Sequence, residues 1–113
     1  MPGLSTHVLD TSVGKPAAGL EVKLEKLTGK TWKILSHTET DEDGRISNLL
    51  SKPNTLSKGV YKISFLTKDY YQAQQKKCFY PVVEIVFEPL NVKEHHHVPL
   101  LISGFGYSTY RGS

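Results

Sequence analysis

The fold class this sequence predicts is all-β: a two-sheet sandwich of seven or eight strands carrying one short helix. Three observations lead there. Apolar residues recur at every second position in several separate runs, the period of a half-buried strand. Turn signals built on glycine, proline, asparagine or aspartate fall between those runs. Only one stretch is rich in helix formers. At 113 residues the chain can bury one core without staples, so residues 1–113 are read as a single domain.

The elements follow in order. Leu20, Val22 and Leu24 alternate with Glu21, Lys23 and Glu25, and the turn Thr28-Gly29-Lys30 leads into a return strand from Trp32 to Thr40. Tyr61, Ile63 and Phe65 alternate with Lys62, Ser64 and Leu66. Asp69 to Lys77 predicts the helix, with Asp69 as its N-cap and Lys76 and Lys77 in the last turn, where they complement the dipole. Val83, Ile85 and Phe87 then share one strand face, as do His96, Val98, Leu100 and Ile102. The last strand pair runs through Gly106-Tyr107-Ser108-Thr109 into the terminal Tyr110-Arg111-Gly112-Ser113. Intervening turns fall at Gly14-Lys15-Pro16, Asp43-Gly44, Pro53-Asn54, Lys58-Gly59, Pro89-Leu90-Asn91 and Gly104-Phe105-Gly106.

Composition excludes several function classes. Hydrophobic content of 38% and charged content of 22% describe a globular chain, not a disordered one. A net charge of +3, dispersed along the chain, is too mild for a nucleic-acid partner, and Lys76-Lys77 reads as a solvated face. No apolar run approaches the roughly 20 residues that span a bilayer, so no membrane partner is expected. The N-terminus shows no signal-peptide pattern. The single cysteine, Cys78, lies beside Phe79 and Tyr80 and is expected to be a buried, inert thiol; its solitude fits a reducing, intracellular compartment.

Chemistry is concentrated in few places. Of the five histidines, His95, His96 and His97 are consecutive, and strand alternation puts His95 and His97 on one face and His96 on the other. Two same-face histidines are half of a zinc site, and neither a cysteine pair nor an HExxH pattern completes one, so no native metal site is expected. Acid–base work is the other reading: histidine as a residue type titrates near neutrality, so a positioned pair such as His97 and His7 can accept and deliver protons, and each proton-transfer role is typically worth about 10²–10⁴ in rate. Arg45 follows the turn Asp43-Gly44 and offers a planar fork of donors to a carbonyl or oxyanion, with Asp41-Glu42-Asp43 expected to restrain its orientation. That acidic run lacks the loop length and distal glutamate of an EF-hand. No G-x-S-x-G elbow and no glycine-rich phosphate loop is present.

Four spaced motifs carry a resemblance: Leu4-Ser5-Thr6-His7-Val8-Leu9-Asp10 with Gly14 and Pro16-Ala17; Asp43-Gly44-Arg45; His97-Val98-Pro99-Leu100-Leu101; and the terminal Tyr110-Arg111-Gly112-Ser113. Together, and with Phe79-Tyr80-Pro81 through Phe87 after the helix, the chain resembles the 5-hydroxyisourate hydrolase branch of the transthyretin-like family over nearly its whole length. The resemblance implies a transthyretin-like sandwich and hydrolysis of 5-hydroxyisourate to 2-oxo-4-hydroxy-4-carboxy-5-ureidoimidazoline in urate degradation. It implies His7, Arg45 and His97 as catalytic residues, Tyr110, Arg111 and Ser113 as substrate-binding residues, and neither cofactor nor metal. It also implies a homotetramer, a dimer of dimers with sites in the channel between them. Two departures stand out: His96 occupies the place of an aromatic residue, and Ile46-Ser47-Asn48 replaces a Cys or Thr followed by Pro-Gly.

The expected mechanism is direct hydrolysis by water, with His97 as base, His7 as helper and Arg45 stabilising the oxyanion. The rival expectation is a transthyretin-like carrier of a small hydrophobic ligand in the tetramer channel, which apolar lining residues would suit better than histidine, arginine and tyrosine. The expected compartment is intracellular: cytoplasmic, or peroxisomal if a targeting extension is missing from this sequence.

Overall fold

The computed structural model describes residues 3–50 and 56–112. Among these residues nine strands and one helix follow in order: β1 Leu4–Asp10, β2 Lys15–Pro16, β3 Glu21–Thr28, β4 Thr31–Glu39, β5 Arg45–Ile46, β6 Tyr61–Phe65, α1 Thr67–Gln72, β7 Val83–Phe87, β8 His96–Ile102 and β9 Tyr107–Thr109. One sheet runs β2-β1-β8-β9, with β5 also paired to β1; the other runs β4-β3-β6-β7. The count exceeds the expected seven or eight because β2 and β5 are two-residue strands, too short for alternation to register. The expected turn at Pro53-Asn54 lies outside the described residues.

Alternation builds the core from both sheets. Leu4 and Val8 of β1 and Val98, Leu100 and Ile102 of β8 face Val22 and Leu24 of β3 and Tyr61, Ile63 and Phe65 of β6, all buried. Each such side chain contributes about 1.5–3 kcal/mol by leaving water. In the β3–β4 hairpin, Gly29 takes φ +64 at the first position of a two-residue loop, a conformation that glycine adopts without strain.

The pairing that matters most for function is β1 with β8, a parallel ladder from Leu4↔His96 to Asp10↔Ile102. Alternation in β1 is masked in the sequence. Its inward face includes Thr6 and Asp10, and Leu9 is on the outward one. Buried polar groups are tolerated there because they are satisfied: Thr6 Oγ1 donates to the Val98 carbonyl at 2.6 Å. Asp10 accepts from the Ser12 backbone and hydroxyl, and from the Tyr70 and Tyr71 hydroxyls at 3.1 Å each. Burial and the neighbouring Asp10 raise the pKa of both phenols, which therefore remain protonated donors.

The helix differs from its expected bounds. It covers Thr67–Gln72, with Leu66 at the cap position and no side-chain cap; Asp69 lies within the first turn. Tertiary contacts set its start, since Thr67 Oγ1 donates to Tyr80 O at 2.5 Å and Lys68 N to Pro81 O at 3.0 Å. It ends early because Gln75 adopts φ +58 and Lys76 N turns back to Tyr71 O, which leaves Lys76 and Lys77 beyond the last turn. Cys78 is half-buried, not buried as expected, because Phe79 and Tyr80 point outward and do not cover it; its thiol donates to Tyr80 O. Among the described residues, no helix is long and apolar enough to cross a membrane.

Candidate active site

The site is built on the outward face of the β1–β8 sheet. Ser5, His7 and Leu9 alternate outward along β1, and His97 and Leu101 along β8. The parallel register puts Ser5 beside His97, and the antiparallel β1–β5 pairing puts Arg45 directly opposite His7. Residues far apart in the sequence thus become neighbours: Ser5 Oγ lies 2.8 Å from His97 Nδ1 although 92 positions separate them. The same hydroxyl lies 2.8 Å from His95 Nε2.

The placement of Arg45 depends on the loop before it. Gly44 has φ +74, and a Cβ there would come within 2.5 Å of the Val8 carbonyl oxygen, so only glycine lets the loop close against β1. Val8 N donates to Gly44 O at 2.8 Å. Asp41 Oδ1 accepts from the backbone N–H groups of Asp43 and Arg45, each at 2.9 Å. The acidic run therefore holds the main chain of Arg45 and not its guanidinium, which among the described residues is in no ion pair.

Two clefts meet at His97. One, of about 410 Å³, is lined by Ser5, Thr6, Arg45, Ile46, Ser47, His95 and His97. The other, of about 180 Å³, includes His7, Leu9, His97, Tyr110 and Gly112. Burial, reinforced by His7, Arg45 and His95, holds the His97 pKa below its ordinary value, against the opposing effect of a hydrogen bond to the Ser5 backbone. His97 is consequently neutral at neutral pH, the form that accepts a proton. Among the described residues no group of three or more His, Cys, Asp or Glu side chains is arranged to hold a metal ion.

The C-terminal segment divides between the two sheet faces. Gly112 bridges to His97, with its N–H donating to His97 O at 2.8 Å. A Cβ on Gly112 would lie 2.7 Å from His97 Cδ2, so the lack of a side chain is what lets the tail reach the imidazole. Tyr110 borders the smaller cleft and also a separate apolar cavity of about 280 Å³ lined by Ile85, Phe87, His96, Val98 and Arg111. Arg111 is placed with that cavity and donates from Nη2 to Glu94 Oε2 at 2.9 Å. The β8–β9 register continued to Gly112 sets Arg111 opposite Val98, on the inward-facing side, and so away from His7 and His97. Ser113 lies outside the described residues.

The structure brings His7, Arg45 and His97, which the resemblance groups, to two adjoining clefts. Residues not singled out for the site beforehand join them: Ser5, Ser47 and His95. Ser5 was detectable as the residue two positions before His7, on the same strand face. His96 is buried on the opposite face, its Nδ1–H donating to the Glu94 carbonyl at 3.0 Å. His37 is remote on β4, 3.5 Å from Glu21.

Fold and cleft together define a transthyretin-like β-sandwich with a histidine- and arginine-lined site on one outer face. The chain belongs to the HIUase/Transthyretin family, which it matches over residues 4–112. It is 43% identical over 110 residues to the 5-hydroxyisourate hydrolase of Salmonella dublin, covering 97% of this chain and 80% of that one. The solved 5-hydroxyisourate hydrolase of Klebsiella pneumoniae is 34% identical, with a TM-score of 0.86 over 98% of this chain and 99% of that one. Sea bream transthyretin in complex with thyroxine is 31% identical, with a TM-score of 0.91 over 97% of this chain and 94% of that one.

Proposed function

We propose that this chain is an enzyme that hydrolyses 5-hydroxyisourate, the product of urate oxidation, to 2-oxo-4-hydroxy-4-carboxy-5-ureidoimidazoline. The carrying observation is that His97 and Arg45 line one cleft, an imidazole that can accept a proton beside a guanidinium that can donate to an oxyanion. The substrate follows from the 43% identity to a 5-hydroxyisourate hydrolase across nearly the whole chain. The same polar lining argues against a carrier of hydrophobic ligands.

Water held at His97 Nε2 attacks the carbonyl of the six-membered lactam, and His97 takes its proton as the new C–O bond forms. Charge builds on the carbonyl oxygen, where the Arg45 guanidinium stabilises it. Collapse of the tetrahedral intermediate breaks the ring C–N bond, and the imidazolium returns the proton to the leaving nitrogen. His7 orients the water or relays the proton. Tyr110 and Ser113 hold the polar edge of the heterocycle. Arg111, expected from the resemblance to share that role, lies on the other face of the sheet beside Glu94 and has no such role in this reading. No cofactor or metal takes part in this reading.

A homotetramer, a dimer of dimers, belongs to the same reading. Its support is that, among the described residues, β7 and β9 are the last strands of their sheets, edges on which a second copy can add. An intracellular setting is supported by the lone free thiol of Cys78. The experiment is the decay of 5-hydroxyisourate absorbance with His7→Ala, Arg45→Ala and His97→Ala enzymes. Wild-type turnover in the His97→Ala enzyme would end the base assignment.

A further inference from the structure

We propose that Ser5 is a positioning residue that sets the tautomer of His97, and that His95 makes it do so by accepting the hydrogen bond of the Ser5 hydroxyl. The inference rests on His97 being the base, and it assigns roles to two residues outside the catalytic set named above.

The argument is a proton count. A serine hydroxyl has one proton to donate and lone pairs with which to accept. Ser5 Oγ faces two imidazole nitrogens, His95 Nε2 and His97 Nδ1, each at 2.8 Å. Its single proton can satisfy only one of them. If it went to His97 Nδ1, that ring would carry its own proton on Nε2, and Nε2 could not accept one from water. If it goes to His95 Nε2, Ser5 Oγ accepts from His97 Nδ1–H, and His97 Nε2 keeps a free lone pair. Only the second arrangement gives a base on the atom left free by Ser5. The chain therefore runs from His97 Nδ1–H to Ser5 Oγ, and from Ser5 O–H to His95 Nε2.

The fold supports a fixed geometry for this chain. Ser5 and His97 are register partners in the β1–β8 ladder, so their Cα atoms are held by backbone bonds on a rigid sheet. Thr6 beside Ser5 locks β1 to β8 through the Val98 carbonyl. Gly3 backs the His95 ring closely, and a Cβ there would lie 3.1 Å from His95 Nδ1. The consecutive histidines gain a division of labour: His97 is the base, His95 the hydrogen-bond acceptor of Ser5, and His96 a buried group on the other face.

The test is ¹⁵N NMR of the imidazole rings at neutral pH, read alongside kcat and KM. Wild-type His97 is expected to carry its proton on Nδ1. Ser5→Ala is expected to shift it toward the Nε2–H form and to lower kcat roughly 10- to 100-fold with KM little changed, the size typical for loss of a group that orients a histidine. Ser5→Thr, which keeps a hydroxyl, is expected to restore both. His95→Phe frees the Ser5 proton to turn toward His97 Nδ1 and is expected to move the tautomer in the same direction as Ser5→Ala. An Nε2–H form of His97 in the wild type, or an unchanged tautomer in Ser5→Ala, overturns the proposal whatever the rates. A shifted tautomer with undiminished kcat upholds the hydrogen-bond chain and instead overturns the assignment of His97 as base.

Discussion

His7 and Arg45 stand directly opposite each other across the β1–β5 ladder, and that two-residue pairing is what brings a guanidinium to the histidine face. Gly44 makes the approach possible, and Asp41 holds the Arg45 main chain in place. The guanidinium is thereby left available to substrate.

Replacing Arg45 is expected to have two separate effects. Loss of oxyanion stabilisation in Arg45→Gln lowers kcat by about 10²–10³. The same change removes a positive charge that holds down the His97 pKa, so that pKa rises toward the ordinary 6.5. NMR titration of His97 reads the second effect independently of turnover. A lower or unmoved pKa in the variant would contradict the placement of Arg45.

The His97 shift also fixes a sign for pH dependence. Because the folded-state pKa is below 6.5, the acid limb of the kcat/KM profile is expected below 6.5, and Arg45→Gln moves it upward. In stability the unfolded chain takes up this proton first as pH falls. The His97 contribution is therefore complete above the unfolded value and is lost as pH drops through the folded one. Urea unfolding of wild type and His97→Gln between neutral and mildly acidic pH checks it: the variant should lose less stability on acidification.

Gly112→Ala tests the contact of the tail with the imidazole. The added Cβ would meet His97 Cδ2 at 2.7 Å and Pro99 Cγ at 3.2 Å, so the tail or the ring must move. A displacement of that size at a reacting group is expected to cost about 10² in kcat, with unfolding stability nearly unchanged. Deleting Tyr110 to Ser113 should abolish hydrolysis and leave the sandwich folded by circular dichroism. A carrier would retain its ligand affinity after that deletion.

Asp10 is expected to matter for stability and not for chemistry. Asp10→Ala leaves the Tyr70 and Tyr71 hydroxyls without their acceptor, at about 1–3 kcal/mol for the buried Tyr71 group and less for half-buried Tyr70, which water can reach. Tyr71→Phe removes one donor and should cost about 1 kcal/mol. Denaturant midpoints at constant slope check both values, and an Asp10→Ala enzyme as stable as wild type would show that α1 is anchored by other contacts.

Much of this was legible in the sequence, for a local reason. Strand alternation is a two-residue property, so it assigned Val98, Leu100 and Ile102 to the core and separated His95 and His97 from His96 before any neighbour was known. Turn chemistry is equally local, and Gly44 marked the position of Arg45. The resemblance carried by the motifs implied His7, Arg45 and His97 as a set. What only the tertiary structure decided is which strands lie side by side. The parallel β1–β8 register, between segments about ninety positions apart, makes Ser5 the partner of two histidines. The same kind of long-range register turns Arg111 toward Glu94, and contacts to Tyr80 and Pro81, with the turn at Gln75, shorten the helix. Periodicity tells each side chain which face to take; neighbours across that face come from pairings whose loop-closure cost and packing gain no local pattern encodes.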